Sequence, residues 1–404
     1  MNTVHFNFNI KDIFRAPRLA LSGKKIFIFI QGNLAGFISY WLFSILAFYS
    51  NGNNIKDIIS KYGLYPCLFG HDAEWYAWFF YYIGIIIWTL AILLSCTAVS
   101  RITLKQLKGN EFYSSKDSWS FVFKHWRTVA LTPLSIILII LFFLILAFIC
   151  SLIGRIAFLG EIFFSFFYII YFFGATFIIL TSFVFFCSLI YTPSIVGMYE
   201  EDTLGSMFHS YSITFGQGWR IILYNLLLFS LVIIGLEIFS WLFLNSIGLT
   251  NYIFGHEWLM SEKSNILNNH ALTHVFPIWL YENLLFIKHY ILGYLNLESG
   301  IPYLFSIKIN YYNLPTISIL EIITSVILSL SYFIIALSIL SYGLSIIAVG
   351  ESLMFIIFKK LSDDDNLILR KDSDEVKESE NELNINNDNS NIYSTFSNSS
   401  NEEE

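Results

Sequence analysis

Four ionisable residues interrupt or flank otherwise apolar sequence: Arg155, Glu161, Glu237 and Glu321. A carboxylate in lipid is costly unless it is paired, protonated or in reach of water, so an acid in such a setting is a functional candidate by default. Counted at 1.5 Å per residue, Glu237 rises about 24 Å along a helix from position 221, and Glu321 drops about 6 Å from position 317. Across a hydrocarbon core about 30 Å thick, the two reach a similar depth in the outer leaflet. Glu161 begins its apolar run near that level, with Arg155 close in sequence. The chemistry such an outer-leaflet cluster permits is binding of a proton or cation during transport. The plainer reading is that each acid reaches the headgroups or stays protonated.

A second constellation pairs an indole with a guanidinium, in Trp126-Arg127 and Trp219-Arg220. Each is a candidate headgroup anchor. The arginine could recognise lipid phosphate, or simply snorkel to the headgroups while the indole sits at the interface. Trp41, Trp75, Trp78 and Trp241 also fall near the ends of apolar runs, as an interfacial belt would place them.

Other chemistry-bearing patterns are sparse. His270 and His274 have the i, i+4 spacing of two zinc ligands. Their context, Asn-Asn-His-Ala-Leu-Thr-His, lacks the glutamate that follows the first histidine in zinc proteases, so they read as metal-free loop histidines. Cys67, Cys96, Cys150 and Cys187 form no CxxC or Cys/His metal spacing. No glycine-rich phosphate loop, GxSxG elbow or kinase set occurs, so the sequence implies no cofactor, no metal and no enzyme.

The elements that must position these residues follow from composition. Of 404 residues 56% are hydrophobic, 19% aromatic and 13% charged, where soluble proteins carry about 25% charged. So much apolar surface exceeds what an interior of this size can hide, and the remainder must face lipid. The net charge of −7 is misleading, because positions 361–404 alone hold 13 acids and 3 bases. No basic patch is dense enough for nucleic acid. The expected partners are membrane lipids and another membrane protein, and the oligomeric state is not encoded legibly.

Six apolar runs can span a bilayer, at 26–49, 75–100, 130–153, 162–191, 221–248 and 317–341. Uninterrupted runs satisfy their backbone internally only as helices, so the expected fold is an all-α integral membrane bundle. Lys and Arg divide 17 to 6 between the two sides, which predicts cytoplasmic termini. The even-numbered runs overshoot the membrane. The stretch 315–358 would be about 66 Å as one helix. It is expected to continue past 341 as a cytoplasmic or interfacial helix containing Gly343, Gly350 and Glu351, with a seventh span as the alternative.

A short amphipathic segment precedes each odd run with i, i+3, i+4, i+7, i+11 spacing. The sets are Ile10, Ile13, Phe14, Pro17, Leu21; Trp119, Val122, Phe123, Trp126, Ala130; and Leu204, Met207, Phe208, Tyr211, Phe215. Asp117 and Asp202 precede the second and third sets by two residues and suit helix starts. The chain therefore reads as three units, each an elbow helix followed by a helical hairpin. In domain terms, 1–25 is a cytoplasmic amphipathic elbow and 26–360 the six-span domain. Its long outer loop, 249–314, contains one amphipathic helix at 281–297. Residues 361–404 form an acidic cytoplasmic tail, expected to be disordered.

The stretches Val99-Ser100-Arg101-Ile102 through Asp117 and Trp126-Arg127 to Pro133, Phe158-Leu159-Gly160-Glu161, Tyr191-Thr192-Pro193-Ser194-Ile195, Glu201-Asp202 and Ser210-Tyr211-Ser212 to Trp219-Arg220-Ile221 carry a resemblance. So does Asp12-Ile13-Phe14-Arg15-Ala16-Pro17-Arg18-Leu19-Ala20. Together they resemble an uncharacterised bacterial family of polytopic inner-membrane proteins. More distantly, the repeated elbow and hairpin is similar to the membrane domain fused to some glycerophosphodiester phosphodiesterases. The resemblance implies a bacterial inner (cytoplasmic) membrane location and no activity. The leading expectation is a non-enzymatic membrane component that organises lipid or a partner protein. The competing one is a small-solute or lipid transporter without its own ATPase.

Overall fold

The computed structural model describes residues 6–372 except 157, 281, 284–285 and 287–317. It is an all-α bundle, with no strand among the described residues. The 3-10 helix Ile10–Arg15 leads into α1 (Ala16–Ala20), followed by α2 (Gly23–Ser50), α3 (Ile55–Tyr62), α4 (Trp75–Leu107) and α5 (Ser115–Gly154). Then come α6 (Leu159–Tyr199), α7 (Thr203–Phe254), α8 (Glu262–Val275) and α9 (Ile319–Asp363). Six of these helices, α2, α4, α5, α6, α7 and α9, are long and apolar enough to cross a membrane. The protein is a multi-pass helical membrane protein.

Each elbow starts on a side-chain cap. Asn9 accepts from the Lys11 amide at 3.1 Å while Asp12 closes the capping box by accepting from the Asn9 amide. Asp202 caps α7 through the Gly205 amide at 2.7 Å. In the second elbow the cap is Ser114, whose Oγ accepts from the Asp117 amide at 3.1 Å, so Asp117 lies inside the first turn rather than at its cap. The first elbow breaks from its span at Leu21-Ser22, and the third does so at Gln217 (φ −128°, ψ 18°) between two glycines. The second runs unbroken into its span through Pro133.

The elbow faces differ from a soluble amphipathic helix. Phe14, Phe123 and Phe208, equivalent in the three segments, are 58%, 65% and 66% exposed. The equivalent set Ala20, Val129 and Thr214 is buried in all three, together with Ser118, Ser206 and Ser210. The equivalent phenylalanines thus point outward, while the inward face combines small or polar residues with the buried Ile13, Phe121, Val122 and Ile213. In lipid the apolar face needs no protein cover, and small residues let helices approach closely.

The returning helices α4, α6 and α9 form the core. Their ends nearest the elbows are buried on nearly every side, over 95–105, 191–198 and 341–359. The stretch beyond 341 is therefore neither an interfacial helix nor a seventh span. It continues α9 without a break, 45 residues in all, and packs inside the protein. Ser352 Oγ donates to Ser100 Oγ at 2.9 Å, and Ser100 and Ser194 hydroxyls lie 3.4 Å apart. One serine from each returning helix meets at this level.

Two further departures concern the connections. The connection expected as a loop over 249–314 is helical at its start, since α7 extends to Phe254 and α8 follows, with Ala271 and Val275 buried against Tyr332. The expected helix at 281–297 lies almost wholly outside the described residues. The tail does not begin at 361: α9 ends at Asp363, and the chain then turns back to bury Leu367 and Asp372. Residues 373–404 lie outside the described residues.

A Cβ at Gly197 would lie 2.9 Å from the Thr97 carbonyl oxygen and 3.0 Å from Ser100 Cβ, whereas Gly174 has open space around it. Gly197→Leu is therefore expected to destabilise the fold by about 1–3 kcal/mol, as overpacking does. Gly174→Leu should leave stability unchanged. Thermal melting of both variants in the same detergent checks this contrast.

Candidate functional site

The four predicted outer-leaflet residues do not form one cluster. Arg155 caps the C-terminus of α5 and Glu161 lies in the first turn of α6, both exposed at the hairpin turn. An acid in a first turn is favoured by the helix dipole, which is reason enough for Glu161 to stand there. Glu321 accepts from the Ser318 amide at 2.8 Å and from its hydroxyl at 2.9 Å, closing the capping box of α9. Counted from the serine level, Glu161 is 33 residues up α6 and Glu321 is 31 residues up α9, roughly 50 and 46 Å. Glu237 lies far deeper. Its neighbour Leu236 packs against Gly343, 22 residues beyond Glu321 in α9, about 33 Å of helix. The common depth expected for Glu237 and Glu321 is thus overturned, because both helices extend well past the spans that hydropathy delimits.

Of the predicted anchors, Trp219 is exposed and Arg220 half-buried. Trp126 and Arg127 are both exposed, with the guanidinium 5.9 Å from the indole centroid. Arg220 lies 5.2 Å from the Trp219 ring and donates to Gln217 Oε1 at 2.7 Å. Gln217 is the residue at the kink, so this bond ties the anchor to the bend that separates elbow from span. His270 and His274 lie on a helix, α8, not a loop. Among the described residues no group of three His, Cys, Asp or Glu is arranged to hold a metal.

The most concentrated polar chemistry lies at the opposite end from Glu321, just beyond the serines. Arg101 and Lys105 on α4 and Lys108 at its C-cap follow one another at i, i+4, i+7, and Arg101 is fully buried. Arg101 pairs with Glu200 at 2.8 Å and stacks 4.5 Å from the Phe121 ring centroid of α5. Glu200 ends α6 in the left-handed region (φ 60°, ψ 26°), a conformation that costs a non-glycine residue about 1–2 kcal/mol. The backbone turn aims its carboxylate at Arg101.

The second acid comes from the refolded segment after α9. Asp372 accepts from Lys105 at 2.9 Å, with Lys108 at 3.4 Å and Arg101 at 3.5 Å. Burial raises the Asp372 pKa, but the Lys105 hydrogen bond and the charges of Arg101, Lys108 and Lys105 outweigh it and hold the carboxyl below the usual carboxylate range. Lys108 also donates to the Arg370 carbonyl at 2.5 Å, and the Arg370 guanidinium lies 4.3 Å from the Tyr199 ring centroid. Tyr199 in turn donates to Asp365. A small polar cavity of about 60 Å³ lies among these groups, lined by Lys108, Tyr199, Glu200, Arg370, Lys371 and Asp372 among others.

This network lies outside the candidate residues read from the sequence, where Arg101, Lys105 and Lys108 are among the 17 cations assigned to one side of the membrane. Their i, i+4, i+7 spacing was the available signal. Buried Lys25 was hidden in the same way: it donates to Gln106 Oε1 at 2.9 Å and to the Leu19 carbonyl at 3.0 Å. With the geometry in place, comparison with known proteins adds nothing: no family model, curated protein or solved structure matches the chain.

Two outcomes follow. Weakening a buried pair is costly, but Asp372 at 3.5 Å still partly compensates Arg101, so Glu200→Gln should destabilise by about 1–3 kcal/mol. The double variant with Arg101→Gln should cost less than the sum of the singles, as melting or denaturant titration of all three would show. For Asp372, whose folded pKa is depressed, the stabilisation is present above the unfolded value of about 4 and is lost as pH falls through the folded one. Asp372→Asn should therefore lower the melting temperature at neutral pH and approach the unmodified protein at strongly acid pH.

Proposed function

We propose that the protein is a non-enzymatic membrane component that organises lipid around its three elbows. The observation that carries this reading is the outward aromatic at the same position of each elbow, Phe14, Phe123 and Phe208, accompanied by the Trp126–Arg127 and Trp219–Arg220 pairs, of which only Arg220 is half-buried. Apolar rings facing the acyl region beside indole–guanidinium pairs suit the level where glycerol backbones meet phosphates. The division of Lys and Arg favours the cytoplasmic leaflet for this end, with both termini cytoplasmic. The resemblance to bacterial inner-membrane proteins points to that membrane. A transporter remains the alternative reading, without the shared acid depth that first motivated it.

The test is retention of anionic lipid during purification, read by native mass spectrometry. Each cation near an anionic surface contributes about 1 kcal/mol, so Arg127→Gln and Arg220→Gln should each reduce retained phosphatidylglycerol about fivefold relative to phosphatidylcholine. Retention that is unchanged in the double variant would refute the proposal.

A further inference from the structure

The buried cations of α4 hold an acid supplied by their own chain. Asp372 Oδ2 lies within 3.5 Å of three different side chains, Arg101, Lys105 and Lys108. Three cations converging on one oxygen match a phosphate better than a carboxylate, because a phosphate offers three acceptor oxygens and greater negative charge. The protein walls of the site are rigid: Arg101 is fully buried, Lys105 is 4% exposed, and both stand on a continuous helix packed in the core. The acid, by contrast, arrives on nine residues outside any helix, attached by buried Leu367 and the Arg370–Tyr199 stack. Beside it is a cavity of about 60 Å³, room for about two water molecules. Lys108 reaches its wall, where Arg370 and Lys371 add two further cations.

We infer that Arg101, Lys105 and Lys108 form a binding site for a phosphate group, and that Asp372 fills it as an internal stand-in. The segment 364–372 is then a removable plug. A phosphate entering the site displaces the Asp372 carboxylate, takes up the Lys105 and Lys108 donors, and leaves the Arg101–Glu200 pair in place as the fixed floor. The site lies at the same end of the bundle as the Trp219–Arg220 pair, so the phosphate can come from a lipid headgroup or from a free phosphate in the aqueous phase. This proposal does not depend on the lipid-organising role, since it concerns buried cations and not the outward elbow face.

The experiment uses the full chain in phosphatidylcholine nanodiscs, with radiolabelled inorganic phosphate in equilibrium dialysis and phosphatidic acid uptake by native mass spectrometry as parallel arms. Asp372→Asn is expected to bind phosphate about tenfold more tightly than the unmodified protein, since an ionised competitor has been removed. Adding Lys105→Gln should abolish the gain, and adding Lys124→Gln, at an exposed elbow position, should not. Gain in the phosphatidic acid arm alone assigns the site to a headgroup; gain with inorganic phosphate assigns it to a free phosphate. Equal binding before and after Asp372→Asn in both arms, or a gain that survives Lys105→Gln, overturns the proposal. If Asp372→Asn fails to fold, the unmodified protein decides. Inorganic phosphate or phosphatidic acid, against chloride or phosphatidylcholine controls, should then speed amide exchange across 366–372. No change with either ligand overturns the proposal.

Discussion

Everything in this bundle depends on three helices coming close enough for their serine hydroxyls to touch. Ser100, Ser194 and Ser352 meet within hydrogen-bonding range, and Gly197 clears the backbone of α4 beside them. In lipid there is no hydrophobic gain from bringing apolar helices together, so close packing and interhelical hydrogen bonds must hold them. Small residues satisfy both demands at once. That is why the most buried stretches of this very apolar chain are rich in serine, threonine, alanine and glycine, and why its phenylalanines crowd the periphery.

The same inversion explains the elbows. In a soluble protein the aromatic stripe of an amphipathic helix turns inward. Here the stripe is split: Phe14, Phe123 and Phe208 face out, while Ile13 and Val122 turn inward beside Ser118, Ser206, Ser210 and Thr214. The α5–α6 hairpin takes this to its limit: the most apolar window of α5 is only 6% buried. Its apolarity answers to lipid and not to a protein core.

Close packing of the returning helices also creates an electrostatic problem at their ends. Arg101 is drawn into the interior one residue after Ser100, where an isolated charge would be costly. Two acids resolve it from different directions: Glu200, turned back by a left-handed residue at the end of α6, and Asp372, delivered by the segment after α9. The tail's first residues are thereby part of the fold, and their Leu367-Ile368-Leu369 run and paired Arg370-Lys371 set them apart from the acidic run beyond.

Sequence by itself determined the class of the protein, its six spans and the start of the third elbow at Asp202. These follow from local properties: run length against bilayer thickness, backbone self-satisfaction in lipid, and capping residues one turn from the amides they meet. Three of the four residues it offered as anchors, Trp126, Arg127 and Trp219, stand at exposed helix positions, and Arg220 is half-buried. What only the tertiary structure decided is which face of each element meets protein, because lipid and a protein core select for nearly the same residues. Tertiary structure also set the depth of Glu237, since hydropathy cannot see where a helix continues into the protein interior. The burial of Arg101 and Lys105 with Asp372, 267 positions away from Lys105, was invisible for a simpler reason. A salt bridge between distant positions leaves no periodic trace, and three lysines and arginines on one helix face look the same in sequence whether they meet water or a carboxylate.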